Sequence, residues 1–234
     1  MILPSLAHRD RDAREWMDDP GCDRETLDRT YSQFRVVNAL VAGWHATYRR
    51  HLRPVLPRDR PATVLDIGCG GGDVARNLIR WARRDGFSLQ VTAIDPDPRA
   101  LAWARRRPPV PELTFRPALS RELVDEGRSF DLVISNHLLH HLDEQQFPAL
   151  LADSQQLARV RAVHSDIRRE RWGYLLFSAG TRPFFRRSFI REDGLISIRR
   201  SYTVPELRAA VPPTWRVAPQ RPSRALLIHD PDPR

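Results

Sequence analysis

The sequence predicts an α/β fold: a seven-stranded, mostly parallel sheet with helices on both faces and a helical cap at the N-terminus. Three observations predict it. From about residue 61, short apolar runs alternate with helical patterns, as strand–helix–strand units require. The run Val64–Asp73, VLDIGCGGGD, joins a buried strand to a glycine-dense turn and then a helix. A second strand, Leu89–Ile94, delivers Asp95 about 20 residues past those glycines.

The elements follow in order. Residues 1–60 read as the cap. Asp23 precedes a helix whose apolar positions, Leu27, Tyr31, Phe34, Val37, Leu40, Val41 and Trp44, recur at three- and four-residue steps. Pro54 and Pro57 end this region. Strands are expected at Thr63–Ile67, Leu89–Ile94, Leu113–Phe115, Phe130–Ser135 and Arg161–His164, with a helix over 73–84 after the glycine turn. A helix at Arg168–Phe177, a loop-rich aromatic stretch at Thr181–Tyr202 and a short helix near Pro205–Ala210 follow. Strands at Trp215–Ala218 and Ala225–His229 close the sheet. Residues 168–203 form a substrate-facing insertion in this reading.

The glycine turn carries the chemistry. Glycines take positive φ without a Cβ clash and let backbone approach a ligand, and the N–H groups opening the helix can face an anion. The dinucleotide fingerprint G-x-G-x-x-G does not fit. Gly68, Gly70 and Gly72 give G-x-G-x-G, and Asp73 stands at the third-glycine position. Asp66 at the strand end would repel a pyrophosphate but welcome an amino-acid ammonium. Asp95 can hydrogen-bond a ribose diol.

On these residues the chain resembles the class I S-adenosylmethionine-dependent methyltransferases, closely over 62–143 and loosely elsewhere. The segment Phe130–Glu144, FDLVISNHLLHHLDE, is similar to small-molecule members of the quinone-biosynthesis type; DGLISIRRSYTVPEL resembles bacterial enzymes of secondary metabolism. The resemblance implies a Rossmann-like domain over 61–234 that binds S-adenosylmethionine and releases S-adenosylhomocysteine. It implies that Asp66, Gly68, Cys69 and Gly70 hold the methionine part, and that Asp95 and Pro96 meet the ribose. Asn136 and His137 would lie beside the methionine part or adenine. The family often has an acid after strand three that meets the adenine amine. Here the run Phe115–Leu119 has none, so backbone at Ala118 or Leu119 is expected to serve.

Methyl transfer from a sulfonium is an in-line displacement helped by placement and, for a hydroxyl acceptor, by a base. In a doubly wound sheet the ligand crevice lies beyond the carboxyl ends of the strands. Candidates for the base are therefore His140, His141 and Asp166, with an imidazole oriented by a carboxylate. Tyr31, Phe34 and Arg35 in the cap, and Phe185 and Arg199 in the insertion, are the candidate acceptor contacts. Metal is not expected, because clustered carboxylates at strand ends are lacking.

Composition limits the alternatives. No apolar run approaches the ~20 residues of a membrane span. Cys22 and Cys69 lack disulfide or metal spacing, and a reduced cytoplasmic setting is expected. Net charge is +9, yet all 38 basic residues are arginine and they are dispersed. No basic stripe interleaves with aromatics as in single-strand binders, so nucleic acid is not the expected partner. The Asn/Asp-Pro-Pro-aromatic run of amine-methylating nucleic-acid enzymes is replaced by Ser135-Asn136-His137-Leu138. The expectation is a small phenolic, quinol-like or polyketide-type acceptor, methylated on oxygen by a monomer or homodimer. RNA or protein methylation, and a repurposed cofactor-binding module, remain the alternatives.

Overall fold

The computed structural model describes residues 4–40, 42–185 and 187–231, without the side chains of 35 and 38–40. Seven strands form one sheet: β1 Ala62–Ile67, β2 Leu89–Ile94, β3 Leu113–Arg116, β4 Phe130–Asn136, β5 Ala158–Ile167, β6 Arg216–Gln220 and β7 Arg224–His229. Their order is β3-β2-β1-β4-β5-β7-β6. The first five strands run parallel, and β7 is antiparallel to both its neighbours. The order reverses between β1 and β4, so both carboxyl ends open onto the same crevice, the switch point where such sheets bind ligands.

Alternation along each strand feeds two cores. In β1, Val64 joins a cluster with Val91, Leu132, Ile134 and the apolar side of helix α3 (Asp73–Arg84). Leu65 joins the opposite cluster with Val133, Leu151 and Leu157. Helix α3 buries Val74, Ala75, Leu78, Ile79 and Ala82 while its arginines point outward. Each of its larger aliphatic side chains contributes roughly 1.5–3 kcal/mol by leaving water. Before the sheet come α1 (Arg24–Leu40), capped by the Asp23 carboxylate accepting from the Thr26 N–H at 2.7 Å, and a short α2 (Trp44–Thr47). The remaining helices are α4 (Pro98–Arg106), α5 (Ser120–Asp125), α6 (Gln146–Leu157), α7 (Arg171–Thr181), α8 (Ile190–Arg200) and α9 (Val204–Ala210).

Two expectations need correction here. The helix expected at Arg168–Phe177 begins three residues later and runs to Thr181. The stretch 181–202, expected as loop, contains the eleven-residue α8. Helix α8 carries Gly194 in its middle, which disfavours helix in isolation. Packing overrides the propensity: a Cβ at Gly194 would sit 2.3 Å from the Phe177 ring, so only glycine lets α7 and α8 meet. No helix among the described residues is long and apolar enough to cross a membrane.

Candidate functional site

A cavity of about 650 Å³ lies at the carboxyl ends of β1, β2 and β4. The turn after β1 forms its floor. Gly68 and Gly72 have φ of +65° and +73°. A Cβ at Gly72 would lie 2.6 Å from the Phe115 ring, and one at Gly68 would lie 3.1 Å from Leu138. Backbone conformation demands glycine at both positions, and at Gly72 sterics demand it as well. The Gly70 N–H donates to Asp95 Oδ2 at 2.8 Å, and the Asp97 N–H donates to Asp95 Oδ1 at 2.9 Å. Asp95 is thereby fixed at the rim with lone pairs to spare for a diol.

Asp66 is the most informative residue of the floor. It is buried, and its Oδ2 has no hydrogen-bond partner. Burial, followed by the nearby Asp95 carboxylate, pushes its pKa up to about 8. A buried carboxyl with an unpartnered oxygen facing a cavity is costly unless a ligand completes it. A cationic amino group does so, and S-adenosylmethionine carries one. Asp66, the glycine turn and Asp95 therefore fit that cofactor in charge, shape and hydrogen bonding.

The sequence-expected cofactor residues Gly68, Cys69, Gly70 and Pro96 all line the cavity, as do Ala118, Leu119, Asn136 and His137. Past Leu119 the wall continues through Ser120 and Asp153, whose side chains bond at 2.7 Å. Asp153 comes from α6, so an acid does stand near the end of the cavity where β3 supplies none. Asn136 is oriented by its Oδ1, which accepts from Trp44 Nε1 at 2.8 Å and Arg224 Nη2 at 2.6 Å.

The histidines occupy different environments. His140 is 1% exposed, and its ring lies between two carboxylates. Its Nδ1 donates to Asp166 at 2.9 Å and its Nε2 to Glu15 at 3.2 Å. Burial opposes charge on the ring, but Asp166 and then Glu15 outweigh it and raise the pKa to about 9. Asp166 also accepts from the His140 backbone N–H at 2.9 Å and is held well below the usual carboxylate range by His140. Neither His140 nor Asp166 lines the cavity; they form a charged layer behind its wall. His141 does line it. Its Nδ1 lies 3.2 Å from Asp18 and its Nε2 3.7 Å from Glu15. His137 has φ of +60° and faces the same cavity. Burial, then the neighbouring His140 charge, lowers its pKa to about 3 and keeps it neutral.

Glu15 was not legible in the sequence as a site residue. It lies in a polar stretch without periodicity, and its contact with His140 spans 125 positions. The structure explains its placement: Asp193 on α8 accepts from the Trp16 and Met17 N–H groups at 2.7 and 3.0 Å. Ser197 then donates to Glu15 at 2.7 Å. Glu15 is buried, and its contacts with the neighbouring histidines, His141 and then His140, outweigh its desolvation and hold its pKa at about 2. Glu15, His140 and His141 bring ligand-type atoms within 4.8 Å of one another, as do His137, His140 and Asp166. Of these two carboxylates only Asp166 belongs to a strand, β5; Glu15 arrives from the segment before α1, and the His140 ring stands between them.

The acceptor contacts divide. Tyr31 and Phe34 line the cavity, their rings 6.2 Å apart, with Trp103 stacked behind Tyr31 at 6.1 Å. The side chain of Arg35 lies outside the described residues. Phe185 and Arg199 are not among the residues that line the cavity. Phe185 lies in the turn between α7 and α8, and Arg199 turns away to Asp10 at 3.4 Å. The next residue along, Arg200, lies at the wall, where its Nε donates to the His140 carbonyl at 3.3 Å. One residue of a helix is a turn of 100°, which decides which arginine faces inward. A smaller chamber adjoins the cavity behind Phe34 and His137, walled by Phe177, Ile190 and Gly194.

Comparisons with known proteins agree with this geometry. Residues 64–161 match the family described as a methyltransferase domain. The ubiquinone biosynthesis O-methyltransferase of Methylocella silvestris is 38% identical over 103 residues, 40% of this chain and 38% of that protein. The one from a Methylobacterium species is 31% identical over 142 residues, 58% of this chain and 52% of that protein. The chain thus spans about half or less of the curated relatives it matches. Among solved structures, the plantazolicin methyltransferase BpumL in complex with a desmethyl analogue and S-adenosylhomocysteine aligns with a TM-score of 0.57 at 13% identity, covering 92% of this chain and 93% of that one. Magnesium protoporphyrin IX methyltransferase from Synechocystis PCC 6803 with bound S-adenosylmethionine gives 0.52 at 16% identity, covering 95% and 90%. Residues 64–161 thus match a methyltransferase domain, and the sheet order, glycine turn and unsatisfied Asp66 around them fit its class I, S-adenosylmethionine-dependent form.

Proposed function

We propose that the protein transfers a methyl group from S-adenosylmethionine to an oxygen of a small phenolic, quinol-like or polyketide-type acceptor. One observation carries this reading. The cavity runs without interruption from Asp66 and the glycine turn to an aromatic wall, Tyr31 and Phe34, beside His137 and His141. A planar acceptor against that wall brings its hydroxyl to the histidines. The likeness to ubiquinone biosynthesis O-methyltransferases favours an oxygen acceptor.

When bound, the cofactor supplies an electrophilic methyl group on a sulfonium. Asp66 and the glycine turn would hold its amino-acid end, and Asp95 its ribose. The chain's own residues do the rest. His141 takes the acceptor proton, with Asp18 behind its Nδ1 to orient the ring and stabilise the imidazolium. His140, already charged between Asp166 and Glu15, holds the wall that carries His141 and has no free nitrogen for a proton. Asp166 and His140 are thus positioning residues.

The test is an assay against a panel of phenols and hydroquinones, with the product identified by mass spectrometry. His141→Ala should lower kcat by about 10²–10⁴-fold with little change in cofactor Kd. Equal kcat in wild type and His141→Ala would remove His141 from the role of base. A full panel without product would count against a phenolic acceptor.

A further inference from the structure

Helix α7 is apolar on the side that faces water. Trp172, Leu175, Leu176 and Ala179 follow one another at i, i+3, i+4 and i+7, and all four are exposed. Trp172 is 75% exposed, Leu176 70% and, in the turn that follows, Phe184 74%. The inner side of the same helix is also apolar, with Phe177 packed on α8. A helix that is apolar on both sides needs a second apolar environment.

The charge around this stripe is one-sided. Between Arg171 and Arg191 the sequence holds five arginines and no acid. Arg171, Arg182 and Arg187 are exposed, and among the described residues none of the three is paired with a carboxylate. Some exposed arginines elsewhere meet acids, as Arg29 meets Glu25 and Arg83 meets Glu112, but what sets this face apart is a 21-residue stretch of chain, 171–191, with no acid in it. The composition of this face, Trp, Leu and Phe rimmed by unpaired arginine, matches what an interface of acyl chains and anionic headgroups selects. A neutral apolar partner would not call for the arginines, and a single-stranded nucleic acid, which stacks its bases on aromatic rings, would not call for the exposed aliphatic Leu175 and Leu176.

We infer that α7 and the turn after it dock the protein onto an anionic lipid surface, with Trp172, Leu176 and Phe184 inserted and Arg171, Arg182 and Arg187 at the headgroups. The docking goes beyond the methyl-transfer reading and stands without it. Phe177 on the inner side of α7 lines the chamber behind His137, so the docked helix is also a wall of the site.

The test is cosedimentation of the full chain with vesicles of phosphatidylcholine alone and of equimolar phosphatidylcholine and phosphatidylglycerol. The expected result is binding to the anionic vesicles only, weakening as salt rises. The triple variant Trp172→Ser, Leu176→Ser, Phe184→Ser should bind at least about tenfold more weakly with an unchanged circular dichroism spectrum and melting temperature. Three results would overturn the inference. One is absence of binding to anionic vesicles; another is undiminished binding by the triple variant. The third is a wild-type dimer that the triple variant dissociates, which would assign the face to a second copy.

Discussion

Replacing Asp66 with alanine is expected to weaken S-adenosylmethionine binding by about 2–5 kcal/mol, roughly 30-fold to several thousand-fold. The reason is the state of the carboxyl in the free protein. Asp66 is buried, one oxygen lacks a partner, and burial together with Asp95 lifts its pKa to about 8. A cationic amino group arriving beside it favours the ionised form. Binding at pH 7 should therefore release a proton, and affinity should rise between pH 6 and pH 8. Stability of the free protein should move the opposite way. The folded pKa lies above the model-peptide value of 3.8, so this group's contribution is present at low pH and is lost as pH rises through about 8. Titration calorimetry in two buffers of different ionisation enthalpy measures the proton directly. Asp66→Asn keeps the shape but should lose both affinity and proton release. Wild-type binding by Asp66→Asn would separate Asp66 from the cofactor.

Asp166→Asn is expected to cost about 3–5 kcal/mol of stability, the usual penalty for removing one partner of a buried ion pair. Asp166 accepts from the His140 ring and backbone and from the Ile167 N–H. Without its charge, His140 keeps only Glu15. The pH dependence should change with it. The folded pKa of His140, about 9, lies above its ordinary 6.5, so its stabilisation is complete below about 6.5 and is lost as pH rises through about 9. Glu15, held at about 2 against an ordinary 4.5, contributes above 4.5 and is lost as pH falls through about 2. The wild-type melting temperature should therefore decline from pH 7 to 9.5. In Asp166→Asn that alkaline decline should shrink, because the histidine pKa falls. An unchanged melting temperature in Asp166→Asn would contradict the charged layer.

The parts of the site that were legible in the sequence are those coded locally. The strand Ala62–Ile67, its glycines and α3 lie in one continuous stretch. There, the positive φ at Gly68 and Gly72 and the amphipathic spacing of α3 write themselves into residue type. The sheet partners followed for the same reason. What stayed hidden depends on contacts between distant elements. Helix α8 looked like loop because Gly194 and the β-branched isoleucines lower its propensity, and only the Phe177 ring explains the glycine. Glu15 has no local signal and is positioned by Asp193 and Ser197. Arg199 and Arg200 differ only in helical phase, which requires knowing that α8 is a helix. The histidine run 137–141 pointed to the right wall, but not to which ring faces the cavity. That depends on the positive φ of His137 and on two carboxylates arriving from other elements.

The expected activity is methyl transfer to a small molecule. Its most direct test is incubation of the protein with methyl-labelled S-adenosylmethionine and an extract of its host, followed by separation into organic-soluble and macromolecular fractions. Label is expected in the organic fraction and should be lost in Asp66→Ala. Label confined to RNA or protein would contradict it.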